Sequence, residues 1–254
     1  MFTYENGIFV SSLLKEKNIS HGFSTRNGGV SKAPHTATMN VGFGRGDVDE
    51  VVLENIRIFA SLSGIENTKT VYAPQIHSKI VRKIENESFE APIEACDGFI
   101  TNQKGISLLI RMADCVPVLF YGEGVVCAVH AGWRGTVAGI CEEAVLKFGE
   151  YGVNPKDIVV AIGHCIHSCC FEVKEDFVEA VSQERGSDFA WRHIEKTEKG
   201  LFADIVGMNE EILKNAGVVF IDSSPRCTSC DPKLFHSHRK TNGVRGTMGA
   251  IISL

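Results

Sequence analysis

Three runs, ISLLI at 106–110, VPVLF at 116–120 and IVVAI at 158–162, are apolar at nearly every position. A strand with one face in water alternates apolar and polar residues, and these do not. Each must be covered on both faces, so the sheets of this chain must lie between other layers. Further strand-like runs occupy Lys79–Ile84, Gly98–Thr101, Ile106–Met112, Val116–Phe120, Val125–His130, Ile158–Gly163 and Val218–Ile221. Helical spacing appears between them. Asp47 with Glu50 three residues later reads as a capping box, Val48, Val52, Ile56 and Phe59 as the buried stripe, and Gly64 as the stop. Val137, Ile140, Cys141, Ala144, Val145 and Phe148 form one face of a second helix closed by Gly149 and Gly152, and a third runs from Ala203 to Ala216. The expected class is α+β, with helices outside packed sheets and antiparallel hairpins within them. No repeat, low-complexity tract or linker interrupts residues 1–254, so a single domain is expected.

Charge is close to balanced, at −5 formally, with no block of like charges, which argues against nucleic acid as a partner. No apolar run reaches a membrane span, and the N-terminal residues lack a basic segment followed by an apolar one. A cytoplasmic location and no membrane partner are expected. The nine cysteines are odd in number, and several, such as Cys127 and Cys141, sit inside apolar patterns. Reduced thiols, open to metal binding or catalysis, are therefore expected.

The stretch ADCVPVLFYGEGVVCAVHAGWRG, residues 113–135, concentrates the chemistry. Folded about Tyr121–Gly124, it pairs Phe120 with Val125, Leu119 with Val126 and Cys115 with His130, so thiol and imidazole become cross-strand neighbours. Such a pair suits a shared metal ion or a thiol–imidazole contact. A helix begins after Ala131-Gly132-Trp133-Arg134-Gly135, so its N-terminus and Arg134 would favour an anion such as phosphate nearby. His77, at the entry to a strand after Pro74, is a third candidate ligand. Two imidazoles and a thiolate would leave a tetrahedral zinc with one open position, the mark of a catalytic site. Nothing local forces His77 towards Cys115.

These segments also resemble a known family. HGFSTRNGGVS at 21–31, MNVG at 39–42, QIHS at 75–78, RMADCVPVLF at 111–120, HAGWRGT at 130–136, IGHCIHSCCFEV at 162–173 and LFHSHRKTNGVRG at 234–246 resemble the successive blocks of the YfiH/YlmD family, also called the laccase-domain or purine nucleoside phosphorylase family. The resemblance spans nearly the whole chain. It implies a layered α/β/β/α arrangement of mixed sheets of the YfiH type. It implies zinc on His77, Cys115 and His130, with copper as an occupant of the same site. The implied activities are phosphorolysis of adenosine, inosine and methylthioadenosine and deamination of adenosine, so purine nucleosides and phosphate are the expected partners. Asp114 and His130 are then candidates for proton handling, Arg26 and Asn40 for the nucleoside, and Arg134 for the phosphate. The basic segment holding Arg239, Lys240 and Arg245 is a second place for phosphate.

Departures from the family pattern fall at Gly163-His164 for Gly-Pro, at Phe171 for Tyr, and at Phe235–Lys240 for a Phe-Ser-Tyr-Arg-Arg run. Three other readings compete. Cys115 could be a metal-free nucleophile with His130 as its base, in a hydrolase or deamidase. Copper at the triad could support polyphenol oxidation. Cys227-x2-Cys230 with His236 and His238 could form a structural zinc module, although the two histidines are closer than finger spacing allows. Cys169 and Cys170 are expected to be buried in a crowded loop and to bind nothing.

Overall fold

The computed structural model describes every residue, Met1–Leu254. In chain order it contains β1 (Phe2–Glu5), β2 (Ile8–Ser11), α1 (Ser12–Glu16), β3 (Ser20–Ser24), α2 (Asp49–Leu62), β4 (Lys69–Val71), β5 (Val81–Lys83) and β6 (Gly98–Thr101). There follow β7 (Ile106–Met112), β8 (Val116–Gly122), β9 (Val125–Ala131), α3 (Trp133–Ala138), α4 (Ile140–Gly149) and β10 (Val159–Ile162). The last part holds β11 (Glu172–Val173), α5 (Glu175–Arg185), α6 (Ser187–His193), β12 (Ile194–Thr197), β13 (Gly200–Ala203), α7 (Ile205–Asn215), β14 (Phe220–Ser223) and β15 (Met248–Ser253).

Two six-stranded mixed sheets dominate, ordered β1-β2-β3-β15-β7-β4 and β14-β10-β8-β9-β6-β5, with a small β11-β13-β12 sheet beside them. Three apolar clusters define the layers. Phe23, Leu108 and Ile110 of the first sheet pack against Leu119, Val126 and Ala161 of the second. The outer face of the first sheet, through Leu109 and Ile251, is covered by Val52, Ile56 and Phe59 of α2. The outer face of the second, through Val118, Phe120 and Val160, is covered by α4 and α7, with Phe148 and Ile212 among the contacts. The order α, β, β, α explains the unbroken apolar runs, because β7, β8, β9 and β10 are buried on both sides.

Three local expectations are corrected. The hairpin turns at two residues, Glu123 and Gly124, whose φ values of 47° and 81° fit a type I′ turn. Gly122 therefore faces Val125, Phe120 faces Cys127, and His130 faces Pro117 instead of Cys115. A shift of two residues keeps every side chain on its own face. The helix after the hairpin is in two pieces, because Gly139 adopts a left-handed φ of 91° between α3 and α4. Asp47 caps nothing: its carboxylate accepts from Ser31 Oγ, Thr36 Oγ1 and Asn40 Nδ2, and Val48, the N-cap residue of α2, is 63% exposed and outside the buried stripe.

Candidate active site

Twice at one place the chain crosses from the first sheet to the second. His77 lies on the link from β4 to β5, and Cys115 ends the three-residue link from β7 to β8. Both links bend sharply, with φ of 59° at His77 and 87° at Asp114, conformations that non-glycine residues seldom adopt. His130, on β9 opposite Pro117, completes the group. Cys115 Sγ is 4.0 Å from His77 Nε2, the two imidazole rings are 5.0 Å apart edge to face, and one ligand atom from each of the three residues lies within 4.8 Å of the others.

Asp97, which precedes β6, organises the group from beneath. It is fully buried, and its Oδ1 accepts from His130 Nδ1 at 2.9 Å and from the His77 amide at 3.0 Å. Its Oδ2 accepts from the amides of Ile76 and Ser78 and from Ser78 Oγ. Burial raises this carboxyl, but the hydrogen bonds from His130 and Ser78 outweigh it and hold the group at about 2. One carboxylate thus shapes the His77 turn and fixes the His130 ring with Nε2 free. Burial likewise pushes the Cys115 thiol up, whereas the charge and hydrogen bond of His130 bring it down to about 6. For His130 burial acts downward, and Cys115 and Asp97 together raise it to about 9. Between those values, a site without an ion holds a thiolate beside an imidazolium.

The donor set fits zinc. Two imidazoles and a thiolate leave one tetrahedral position open, and the carboxylate on the remote nitrogen of His130 is the usual partner of a zinc-binding histidine. Gly132 makes room for the arrangement, since a Cβ there would lie 2.6 Å from His77 Cδ2 and 3.4 Å from Cys115 Sγ and from His130 Cε1. Copper accepts the same donors. A multicopper cluster does not fit, because the other histidines are dispersed: His21 bonds Ser11 and Ile19, His35 bonds Arg45, His164 bonds Ser24, His193 bonds Glu211, and His236 bonds Met39.

Two cavities open on the triad. The first, about 210 Å³, is lined by Arg45, Arg111 and Arg245 with Phe43, Gln75 and Thr247. Arg111 donates to Ala73 O, and Arg245 to Gly246 O and Thr247 Oγ1, so neither is neutralised by a carboxylate. Burial, and then the charge of Arg45, lowers Arg245 to about 10, and its buried Nε has no partner. Three guanidinium groups without a carboxylate partner suit an anion. The second cavity, about 440 Å³, is lined by Trp133, Ile166, Phe171 and Ile205 on its apolar side and by Arg45, Asp114, His238, Arg239 and Arg245 as its charged and polar groups. It offers flat apolar surface with a few polar groups, as pockets for small aromatic ligands do.

The family described as multi-copper polyphenol oxidoreductase laccase matches residues 20–254. A protein named purine nucleoside phosphorylase YlmD from Bacillus subtilis is 34% identical over 94% of this chain and 89% of its own length. The chain belongs to the YfiH/YlmD family. Purine nucleoside phosphorylase YfiH from Escherichia coli is 35% identical over 94% of this chain and 95% of its own. Among solved structures, the Bacillus licheniformis protein YfiH superposes with a TM-score of 0.90 at 29% identity, covering 100% of this chain and 98% of that one. YlmD from Geobacillus stearothermophilus superposes at 0.88 and 31%, over 99% and 98%. The YfiH-type layered fold implied by the sequence is thereby borne out.

Within this YfiH/YlmD chain the other expected site residues scatter. Arg245 lines both cavities. Asp114 lines the second, with its carboxylate taken by Thr228 Oγ1 and the Arg239 amide, each at 2.6 Å. Arg134 is exposed, with its guanidinium over the Trp133 ring at 4.1 Å, and lines neither cavity. Arg26 lies outside both as well, tying Ala37, Pro34 and Pro232 carbonyls together. Asn40 is fully buried, its amide used on Gly42, Asp47 and Thr247. The fold itself takes up the polar groups of Arg26 and Asn40, Arg134 turns to solvent, and none of the three lines either cavity beside the triad. Lys240 lies on a separate hollow with Arg26. Sequence reasoning missed Asp97, Arg45, Arg111 and Gln75. Gln75 stood in the QIHS block and Arg111 in RMADC, so a signal existed for those two alone.

Proposed function

We propose that the protein is a zinc-dependent purine nucleoside enzyme that performs phosphorolysis of adenosine, inosine and methylthioadenosine, and deamination of adenosine. The observation that carries this reading is the placement of the His77–Cys115–His130 triad between a cavity with three arginines and one with aromatic walls. Both sides match what phosphorolysis must hold, an anion and a flat base. The names of the YlmD and YfiH relatives support the same substrates.

His77, Cys115 and His130 would hold the metal, which when bound supplies Lewis acidity at its open position. The chain's own residues do the rest. Arg45, Arg111 and Arg245 bind and orient phosphate, while Trp133 and Phe171 flank the purine. In phosphorolysis a phosphate oxygen forms a bond to C1′ as the C1′–N9 bond breaks, and the base leaves with that electron pair and takes a proton. In deamination a water oxygen adds at C6 and ammonia departs. His238, on the aromatic cavity, stands where it can exchange a proton with the base. Asp97 keeps the proton on His130 Nδ1 throughout. All of these side chains belong to one catalytic domain, residues 1–254.

A second reading keeps the same atoms without metal. The low Cys115 value, the raised His130 value and Asp97 behind it reproduce a Cys-His-Asp nucleophile set. Incubating the protein with adenosine and phosphate, before and after chelation, separates the two. Adenine or inosine formed only with metal supports the zinc enzyme. Unchanged turnover after complete metal removal refutes it and favours the thiol nucleophile.

A further inference from the structure

We propose that Cys169, Cys170, Cys227 and Cys230 form a second metal site, a four-thiolate zinc clasp between the loops that follow β10 and β14. The structure corrects the sequence reading on each of these residues. Cys169 is exposed and Cys170 half-buried, and the partners of Cys227-x2-Cys230 are these two thiols and not His236 or His238. His236 instead bonds Met39 O in the core.

Topology brings the four together. β10 and β14 are parallel neighbours, with Val159 opposite Phe220 and Ile162 opposite Ser223, so both loops leave the same end of the sheet. The pairing continues as a bridge from Cys165 to Cys227, which places the two cysteine pairs side by side. No two are joined: Sγ of Cys230 is 3.5 Å from that of Cys169 and 3.5 Å from that of Cys170, and Cys169 and Cys170 are 3.9 Å apart. A disulfide needs about 2.05 Å. A tetrahedron of sulfurs around zinc, with Zn–S of about 2.3 Å, has edges of about 3.8 Å. All four sulfurs lie within 4.8 Å of one another, so the cluster has the size of an ion's shell and not of a bonded pair.

The surroundings match a thiolate cluster. The His167 amide points at Cys227 Sγ at 3.5 Å, and a tight turn returns the Cys230 amide to Cys227 O. Four thiols would release their protons on binding, leaving two negative charges on the complex. Arg239, donating to the Cys170 carbonyl at 3.0 Å, supplies a nearby positive charge. The clasp adjoins the active site without sharing a ligand with it. Thr228, next to Cys227, holds Asp114, and the Arg239 amide holds the other oxygen of the same carboxylate. Closing the two loops would therefore fix the turn that presents Cys115.

The test is metal counting on protein purified under reducing conditions, reloaded with zinc alone and desalted. Two zinc ions per chain are expected, falling to one in Cys169→Ser/Cys230→Ser. Cys115→Ser should also lose one, and its failure to do so would count against the active-site reading only. A zinc count that is the same in the parent and the double variant, whether one or two per chain, overturns the clasp. Should that variant not fold, alkylation of the native protein decides: in zinc-loaded protein Cys169 and Cys230 stay unmodified despite their exposure until a chelator is added. Rapid modification with zinc present, or a metal-free mass lower by two hydrogen atoms that marks a disulfide, overturns the proposal.

Discussion

Replacing Asp97 by asparagine tests whether one buried carboxylate builds the active site. The carboxylate accepts five hydrogen bonds, from the Ile76, His77 and Ser78 amides, Ser78 Oγ and His130 Nδ1. An amide nitrogen in place of either oxygen turns an acceptor into a donor. At Oδ1 it strands the His77 amide and His130 Nδ1, and at Oδ2 three donors of Ile76 and Ser78. Each stranded buried donor costs about 1–3 kcal/mol, so a loss of about 3 kcal/mol in unfolding free energy is expected. The carboxyl gives an independent figure. Holding it at about 2 instead of 3.8 corresponds to ~2.4 kcal/mol of stability. That contribution is fully present above pH of about 4 and is lost as pH falls through about 2. Zinc affinity should fall roughly 10–100-fold, because His130 can then rotate or change tautomer and present N–H where a lone pair is needed. Urea unfolding of the metal-free protein at pH 7 and competitive zinc titration read the two effects. A variant with zinc affinity within about threefold of the parent and unchanged stability would refute the role given to Asp97.

Other expectations follow from the same geometry. Gly132→Ala should abolish metal binding at the His77–Cys115–His130 triad while leaving the far-ultraviolet circular dichroism spectrum intact, since its Cβ would collide with His77 and not with the core. Asn40→Ala should destabilise the fold by about 2–4 kcal/mol without changing KM for nucleoside, whereas Arg245→Ala should raise KM for phosphate at least about tenfold with little loss of stability. In metal-free protein, alkylation of Cys115 should stay fast down to pH of about 6 and slow below it as the thiolate takes up a proton, and zinc should block the reaction.

The layers were legible because ISLLI and IVVAI leave no face for water, and the nearness of Cys115 to His130, though not their pairing, because a hairpin turn can move by two residues without moving a side chain to the other face. The turn itself was misplaced since Tyr121 and Gly122 extend the apolar run as readily as they bend it. The break at Gly139 was hidden by an apolar spacing that continues across it. Asp97 left no mark: it sits between Cys96 and Gly98 as any strand-entry residue might, and its five donors come from segments that only the tertiary fold assembles. Arg26 and Asn40 show the converse. A polar residue in a glycine-rich loop reads as a ligand contact, yet Arg26 is occupied by the Ala37, Pro34 and Pro232 carbonyls and Asn40 by Gly42, Asp47 and the Thr247 amide. The four-cysteine cluster joins residues more than fifty positions apart, and parallel pairing of β10 with β14 is not a property of either segment alone.

The Asp97 network also bears on when the metal must arrive. Its hydrogen bonds hold the His77 turn and the His130 ring through protein groups alone, so the three donors are in place in a chain that has never met an ion. Loading is then a late, reversible event on a finished molecule, unlike a zinc finger, whose folding waits for its metal. Which ion occupies the triad becomes a matter of the local supply of zinc and copper and of proton competition at His130. The same chain can be emptied and refilled without passing through an unfolded state.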